Sequence, residues 1–123
     1  MANTISISAS VILKREASVS LTLMQKSNLQ ISQTGEGMAS GIQEIGTTAE
    51  NLNFGDVPTE SVAVFENLDD TNFVEIGWDA TGFQSAFKLL PGQVAVVPLN
   101  PSRTWQAQAD TAAVELYHAV CEA

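Results

Sequence analysis

The 123 residues suffice for one hydrophobic core and fall short of two independent domains, and 45% apolar against 15% charged residues excludes a disordered chain. Fourteen acidic residues against five basic ones give a formal net charge of −9, which excludes nucleic-acid binding through a basic patch and disfavours an anionic membrane surface. No run approaches the ~18 apolar residues of a membrane helix, Met1 to Thr4 lacks the basic-then-apolar start of a signal peptide, and Cys121 alone allows no internal disulfide, so synthesis in a reducing cytoplasm is expected.

In chain order, Ile5, Ile7, Ala9 and Val11 alternate with Ser6, Ser8 and Ser10, the period-two pattern of a strand with one apolar and one hydroxyl-rich face. Lys14-Arg15-Glu16 reads as a turn, after which Val19, Leu21 and Leu23 alternate with Ser18, Ser20 and Thr22. Leu29 and Ile31 alternate with Gln30 and Ser32 before the turn Thr34-Gly35-Glu36-Gly37. Ile42 to Ile45 reads as a short strand, Gly46 to Asn51 as a single helical turn or a loop, and Leu52 and Phe54 precede the turn signal Gly55-Asp56-Val57-Pro58.

The second half reads as successive hairpins. Strands are expected over Ser61 to Leu68, Phe73 to Trp78, Phe83 to Leu89 and Val94 to Leu99, joined by turns at Asp69-Asp70-Thr71-Asn72, Asp79-Ala80-Thr81-Gly82 and Leu90-Pro91-Gly92-Gln93. After a loop opened by Pro101, Trp105 to Ala109 alternates, and Ala113 to Cys121 closes the chain with Val114, Leu116, His118 and Val120 on one face. A helix over Ala109 to Glu122 competes on composition, but the alternation and the β-branched Val114 and Val120 favour a strand. Nine to ten short strands at this spacing predict an all-β fold, an antiparallel β-sandwich over residues 1–123 with either a jelly-roll or an immunoglobulin-like topology.

Chemistry finds little purchase on this pattern. His118 is the only histidine and has no nucleophile or orienting carboxylate at a suggestive spacing, so it reads as a structural residue and not as a base or metal ligand. Cys121 stands beside Glu122, which disfavours a thiolate, and reads as a small apolar residue. Asp69, Asp70, Glu75 and Asp79 form the one carboxylate cluster; its spacing matches no EF-hand, and a solvated turn is expected in place of a calcium site or a glycosidase pair. Gly35-Glu36-Gly37 resembles part of a phosphate loop but lacks the lysine that would follow, and no Gly-x-Ser-x-Gly elbow occurs. The expectation is a protein that is not an enzyme and carries no cofactor, metal or catalytic residue.

Ala63 to Gly77, Phe87 to Ala95 and Ala109 to Leu116, with Gln33 to Gly37 and Gln43 to Thr48, resemble a group of small β-sandwich virion structural proteins of tailed bacteriophages. The resemblance spans most of the chain and rests on strand-and-turn patterns. It implies a particle component located in the virion after synthesis in the host cytoplasm: a capsid decoration (cement) protein bridging coat subunits, or a tail-associated protein.

Implied partners are further copies of the chain, with a trimer as the expected homo-oligomer, and the major capsid protein or a tail component; neither nucleic acid nor a membrane is expected. Ile5 and Ile7, on an alternating segment from Thr4 to Ile12, are candidate interface residues of an N-terminal arm within residues 1–12, unless that segment is simply the first strand of the sandwich. Trp78 and Trp105 are candidate interface anchors or core residues. In the alternative reading, a carbohydrate- or receptor-binding module of a tail or fibre, they would be the stacking platforms.

Overall fold

The computed structural model describes residues 3–15 and 19–123, and these form ten strands: β1 (Asn3–Arg15), β2 (Val19–Gln33), β3 (Met38–Ile45), β4 (Glu50–Asn51), β5 (Glu60–Asn67), β6 (Val74–Asp79), β7 (Phe83–Leu89), β8 (Val94–Pro98), β9 (Trp105–Ala109) and β10 (Val114–Glu122). The fold is all-β, as the alternation predicts. The segment Gly46 to Asn51 ends in β4 and not in a helical turn, and Ala109 to Glu122 yields β10. Among the described residues no helix is long and apolar enough to cross a membrane. Of the expected turn Lys14-Arg15-Glu16, the first two residues end β1 and Glu16 lies outside the described residues.

The chain divides into two compact units, Met1–Gly35 and Glu36–Ala123. The second is a sandwich of two antiparallel four-stranded sheets, ordered β3-β10-β5-β8 and β4-β9-β6-β7. Strands remote in sequence are neighbours in both sheets, and the chain crosses between sheets at nearly every connection; this is the jelly-roll order. Alternation alone left that topology and the immunoglobulin-like one open.

Inner-facing residues of both sheets build the core. In β10, Val114, Leu116, His118 and Val120 are buried, while the residues between them face outwards. They meet Phe65 and Ala63 of β5 and, from the facing sheet, Val74, Ile76, Ala107 and Ala109. Phe65 is fully buried, with its ring centroid 6.2 Å from that of Phe87. A bulge between Ile76 and Gly77 brings β7 so close that a Cβ on Gly77 would lie 1.8 Å from the Gln84 carbonyl oxygen, so only glycine fits there.

Buried Asn67 joins three chain segments at one end of the sandwich. Its Nδ2 donates to the carbonyls of Asn72 (2.9 Å) and Leu89 (3.0 Å), and its Oδ1 accepts the Asp69 N–H at 2.9 Å. The following turn, Leu90-Pro91-Gly92-Gln93, closes with a 3.0 Å hydrogen bond from the Gln93 N–H to the Leu90 carbonyl and needs φ 79° at Gly92.

The first unit is a two-stranded antiparallel ribbon of β1 and β2, 13 and 15 residues long. The alternating segment from Thr4 to Ile12 belongs to this ribbon. Two register shifts place extra residues in β2, near Leu23 and near Ser27-Asn28. Asn28 takes φ 59°; its Oδ1 accepts from Ser6 Oγ at 3.1 Å and its N–H donates to Ser8 Oγ at 3.1 Å, so hydroxyls of β1 hold the irregularity.

Candidate functional site

Three places on the chain bring chemically distinctive residues together. The first is an open cleft of about 310 Å³, lined in part by Gly41 and Gln43 of β3, Asn53, Gly55 and His118. Gly41 stands opposite His118 in the β3–β10 register and occupies an inward-facing position; with no side chain there, the space above the imidazole stays open.

Gln43 fixes the tautomer of His118. Its Nε2 donates to Glu50 Oε1 (3.2 Å) and to the Asn51 carbonyl (3.0 Å), and its Oε1 accepts the Asn53 N–H at 2.9 Å. That oxygen therefore accepts from His118 Nε2 as well, at 3.1 Å, which leaves Nδ1 as a buried acceptor without a partner among the described residues. The edge of the ring meets Phe54, 5.6 Å between centroids at 87°. Burial holds the imidazole pKa below its ordinary value, so the ring is neutral at pH 7. The Glu50 carboxylate reaches the ring only through the Gln43 amide and is also committed to the Gly46 N–H. The arrangement orients the ring and offers a lone pair; it does not activate a base.

The second place is the tryptophan pair. Trp78 and Trp105 oppose each other across β6 and β9, edge to face, with centroids 6.0 Å apart. Both are half-buried; Trp105 packs on the core and donates from Nε1 to the Asn100 carbonyl at 2.9 Å, and the Arg103 guanidinium lies 5.2 Å from the Trp78 ring centroid. The rings are spent largely on each other and on Arg103.

The remaining sequence candidates are dispersed. Asp69 Oδ2 accepts the N–H groups of Thr71 and Asn72, which hold its carboxyl below the usual range, and Asp79 Oδ1 accepts the Gly82 N–H at 3.0 Å. Both carboxylates organise their own turns. Glu75 faces outwards on β6, opposite Lys88 and Gln108. Among the described residues no group of three or more His, Cys, Asp or Glu is placed to hold a metal ion. The backbone N–H groups of Glu36 and Gly37 do cradle an anion, but it is the chain's own Glu122 carboxylate, at 3.1 and 2.7 Å. Half-buried Cys121 lies on the outer face of β10 beside Met38, the opposite face from His118.

The third place is a pair of apolar surfaces. On the outer face of the β3-β10-β5-β8 sheet, cross-strand rows run Val94, Glu66, Tyr117, Ile42 and Val96, Val64, Ala119, Ser40. Met38, Ile42 and Val94 are each more than 60% exposed there. The corresponding face of the other sheet carries Lys88, Glu75, Gln108 and Gln106.

The ribbon has the same asymmetry. Residues opposed in its register share a face, so Ile5, Ile7, Ala9, Val11 and Leu13 lie with Ile31, Leu29, Met24 and Leu21, while Thr4, Ser6, Ser10, Gln25, Gln30 and Ser32 occupy the reverse. Ile5 and Ile7 are half-buried, opposite Ile31 and Leu29. Leu13, Leu21, Leu29, Val11 and Met24 are all exposed.

No protein-family model, curated protein sequence or solved structure matches the chain. Sequence reasoning selected Ile5 and Ile7 and read Leu21 and Leu29 as apolar positions of alternating segments without naming them as interface. It ended the first apolar series at Val11, short of Leu13, and missed Met24, because the extra residue near Leu23 shifts the phase of β2. It also missed Gly41 and Gln43; the signal was a glycine and an amide in the same phase as Ala39 and buried Ile45, hidden because the strand was expected to begin only at Ile42.

Proposed function

We propose that this chain is a non-enzymatic, homo-oligomeric structural component of a tailed-phage particle, a capsid decoration protein that bridges coat subunits. The observation that carries the structural-component part is the β1–β2 ribbon. A two-stranded hairpin is marginal in water on its own, and one that shows Val11, Leu13, Leu21, Met24 and Leu29 to solvent on a single face is built to be covered. The phage assignment rests on the sequence resemblance, and the jelly-roll order adds an analogy at the level of fold, since that architecture recurs in capsid and lectin domains. Repetition around a symmetric particle converts modest contacts of this kind into firm attachment.

The carbohydrate-binding alternative shares the fold-level analogy but requires open aromatic faces, and Trp78 and Trp105 pack edge to face, with Arg103 beside Trp78. Imaging purified particles that carry a labelled copy of the chain tests the proposal. Label at regular positions over the capsid lattice is expected. Label at the tail alone would overturn decoration while leaving a structural role, and particles without the chain would overturn the assignment.

A further inference from the structure

The homo-oligomer reading above leaves open which surfaces meet, and four observations bear on that. First, the ribbon cannot bury its apolar face within two strands; that face, from Ile5 and Ile31 to Leu13 and Leu21, needs a second apolar layer. Second, the sandwich offers one such layer and only one. Its β3-β10-β5-β8 sheet shows Ile42, Val94 and Val96 to solvent, with Glu66 among them and Glu44 and Glu115 in the adjacent row, whereas the β4-β9-β6-β7 sheet shows Lys88, Glu75, Gln108 and Gln106 and, among the described residues, no comparable apolar group. An antiparallel sheet with a solvated outer face ordinarily alternates to polar residues on that side, so the apolar face is the anomaly.

Third, charge is divided unequally between the two units. In the sequence the first unit carries Lys14, Arg15 and Lys26 against Glu16 alone, a formal charge of +2. The second carries Lys88 and Arg103 against thirteen acidic residues, a formal charge of −11, and the two values give the −9 of the whole chain. Two sandwiches therefore repel each other, and two ribbons repel more weakly, while a ribbon and a sandwich attract. The distribution holds at short range too: Lys26 lies among the apolar residues of the ribbon face, opposite Ala9, and Glu66 lies within the apolar rows of the sandwich face, between Val94 and Tyr117.

Fourth, β1 and β2 already pair with each other along their full lengths, so each strand has spent one edge and the ribbon presents a face. Each strand keeps its outer edge free, but the exposed apolar side chains lie on the face and not at those edges, so covering them requires face-to-face packing, as two sheets stack.

We propose that the apolar face of the β1–β2 ribbon of one copy docks on the outer face of the β3-β10-β5-β8 sheet of a second copy. The contact is heterologous: each copy contributes a ribbon on one side and a sandwich face on the other, so repetition generates a ring where the rotation closes, and a trimer is the expected form. Cys121, on the same outer face beside Met38, is covered when the ribbon is seated.

The test is complementation between two full-length variants, read by light-scattering mass. Leu29→Glu places a carboxylate on the ribbon face, and Val96→Glu places one on the sandwich face; both positions are solvent-exposed, so neither change enters the core. Wild type is expected at a multiple of the 13.1 kDa chain mass, and each variant alone at that chain mass. An equimolar mixture is expected to form a dimer, because the intact ribbon of the Val96→Glu chain meets the intact sandwich face of the Leu29→Glu chain.

Leu21→Glu with Val94→Glu repeats the test at independent positions, and circular dichroism shows that each variant is folded. A monomeric wild type would overturn the proposal, including the case in which the ribbon folds back on its own sandwich. Retention of wild-type mass by Val96→Glu would indicate ribbon-on-ribbon pairing and overturn it as well, as would mixtures of both variant pairs that stay monomeric. A chain that associates in this way yet is missing from phage particles would overturn the particle assignment alone, and a particle-bound chain that is monomeric in solution would overturn this contact alone.

Discussion

The ribbon and the sandwich are written in the same alternating pattern, and only the sandwich encloses it. Phe65 of β5 and Leu116 of β10 are fully buried by their own chain, whereas Leu29 and Met24 of β2 are 40% and 56% exposed. The difference is one of layers. Eight strands crossing between two sheets supply a second layer for every inner-facing residue, and two strands supply none. Alternation in a sequence therefore fixes which side of a strand is apolar and says nothing about whether this chain or another covers it.

The largest expected effect separates the two units by stability. Phe65→Ala should cost about 3–5 kcal/mol by transfer and cavity terms, measured by denaturant unfolding of dilute protein. In the same experiment Leu29→Ala should change stability by less than about 0.5 kcal/mol, as expected at an exposed site. Comparable losses for both would mean that the ribbon is part of the sandwich's folding unit, and the comparison would fail.

A smaller effect comes from His118. Burial lowers its folded-state pKa, so at acid pH the unfolded chain binds a proton that the folded sandwich resists. Its contribution to stability is complete above the ordinary histidine value of about 6.5 and is lost as pH falls through the folded pKa. Melting temperature should accordingly drop on acidification below about pH 6.5, and His118→Gln should flatten that part of the profile. The ribbon contains no histidine, so the effect sharpens the comparison by acting on one unit only. An unchanged slope in His118→Gln would show that another group carries it.

Much of the local structure was legible in the sequence because its causes are local. Pro91-Gly92 specified a turn through the fixed φ of one residue and the positive φ of the next, and Val114 to Val120 showed its inner face directly. The sheet order was not legible, because β10 pairs with β3 and β5 across tens of residues and no local signal marks such partners. Within β2, the run Leu23, Gln25, Ser27 suggests one phase, but the extra residues substitute Met24 and Lys26 on the apolar face; a bulge at Asn28 depends on hydroxyls from β1 that the sequence of β2 does not contain.

The candidate site was legible to the same degree. His118 was correctly placed on the inner face of its strand, but its neutral state comes from burial in the folded sandwich and its tautomer from Gln43, 75 residues away in sequence and itself bonded to Glu50. The division of charge between the ribbon and the sandwich could be counted only once the boundary between the units was known.

Hydrogen exchange of the ribbon amides at several protein concentrations tests the central claim most directly, since exchange reports local opening of backbone hydrogen bonds. If the apolar face of the ribbon is covered by another copy, protection of the β1–β2 amides should fall on dilution while the amides of β5 and β10 stay protected. Ribbon protection that is independent of concentration would contradict the account.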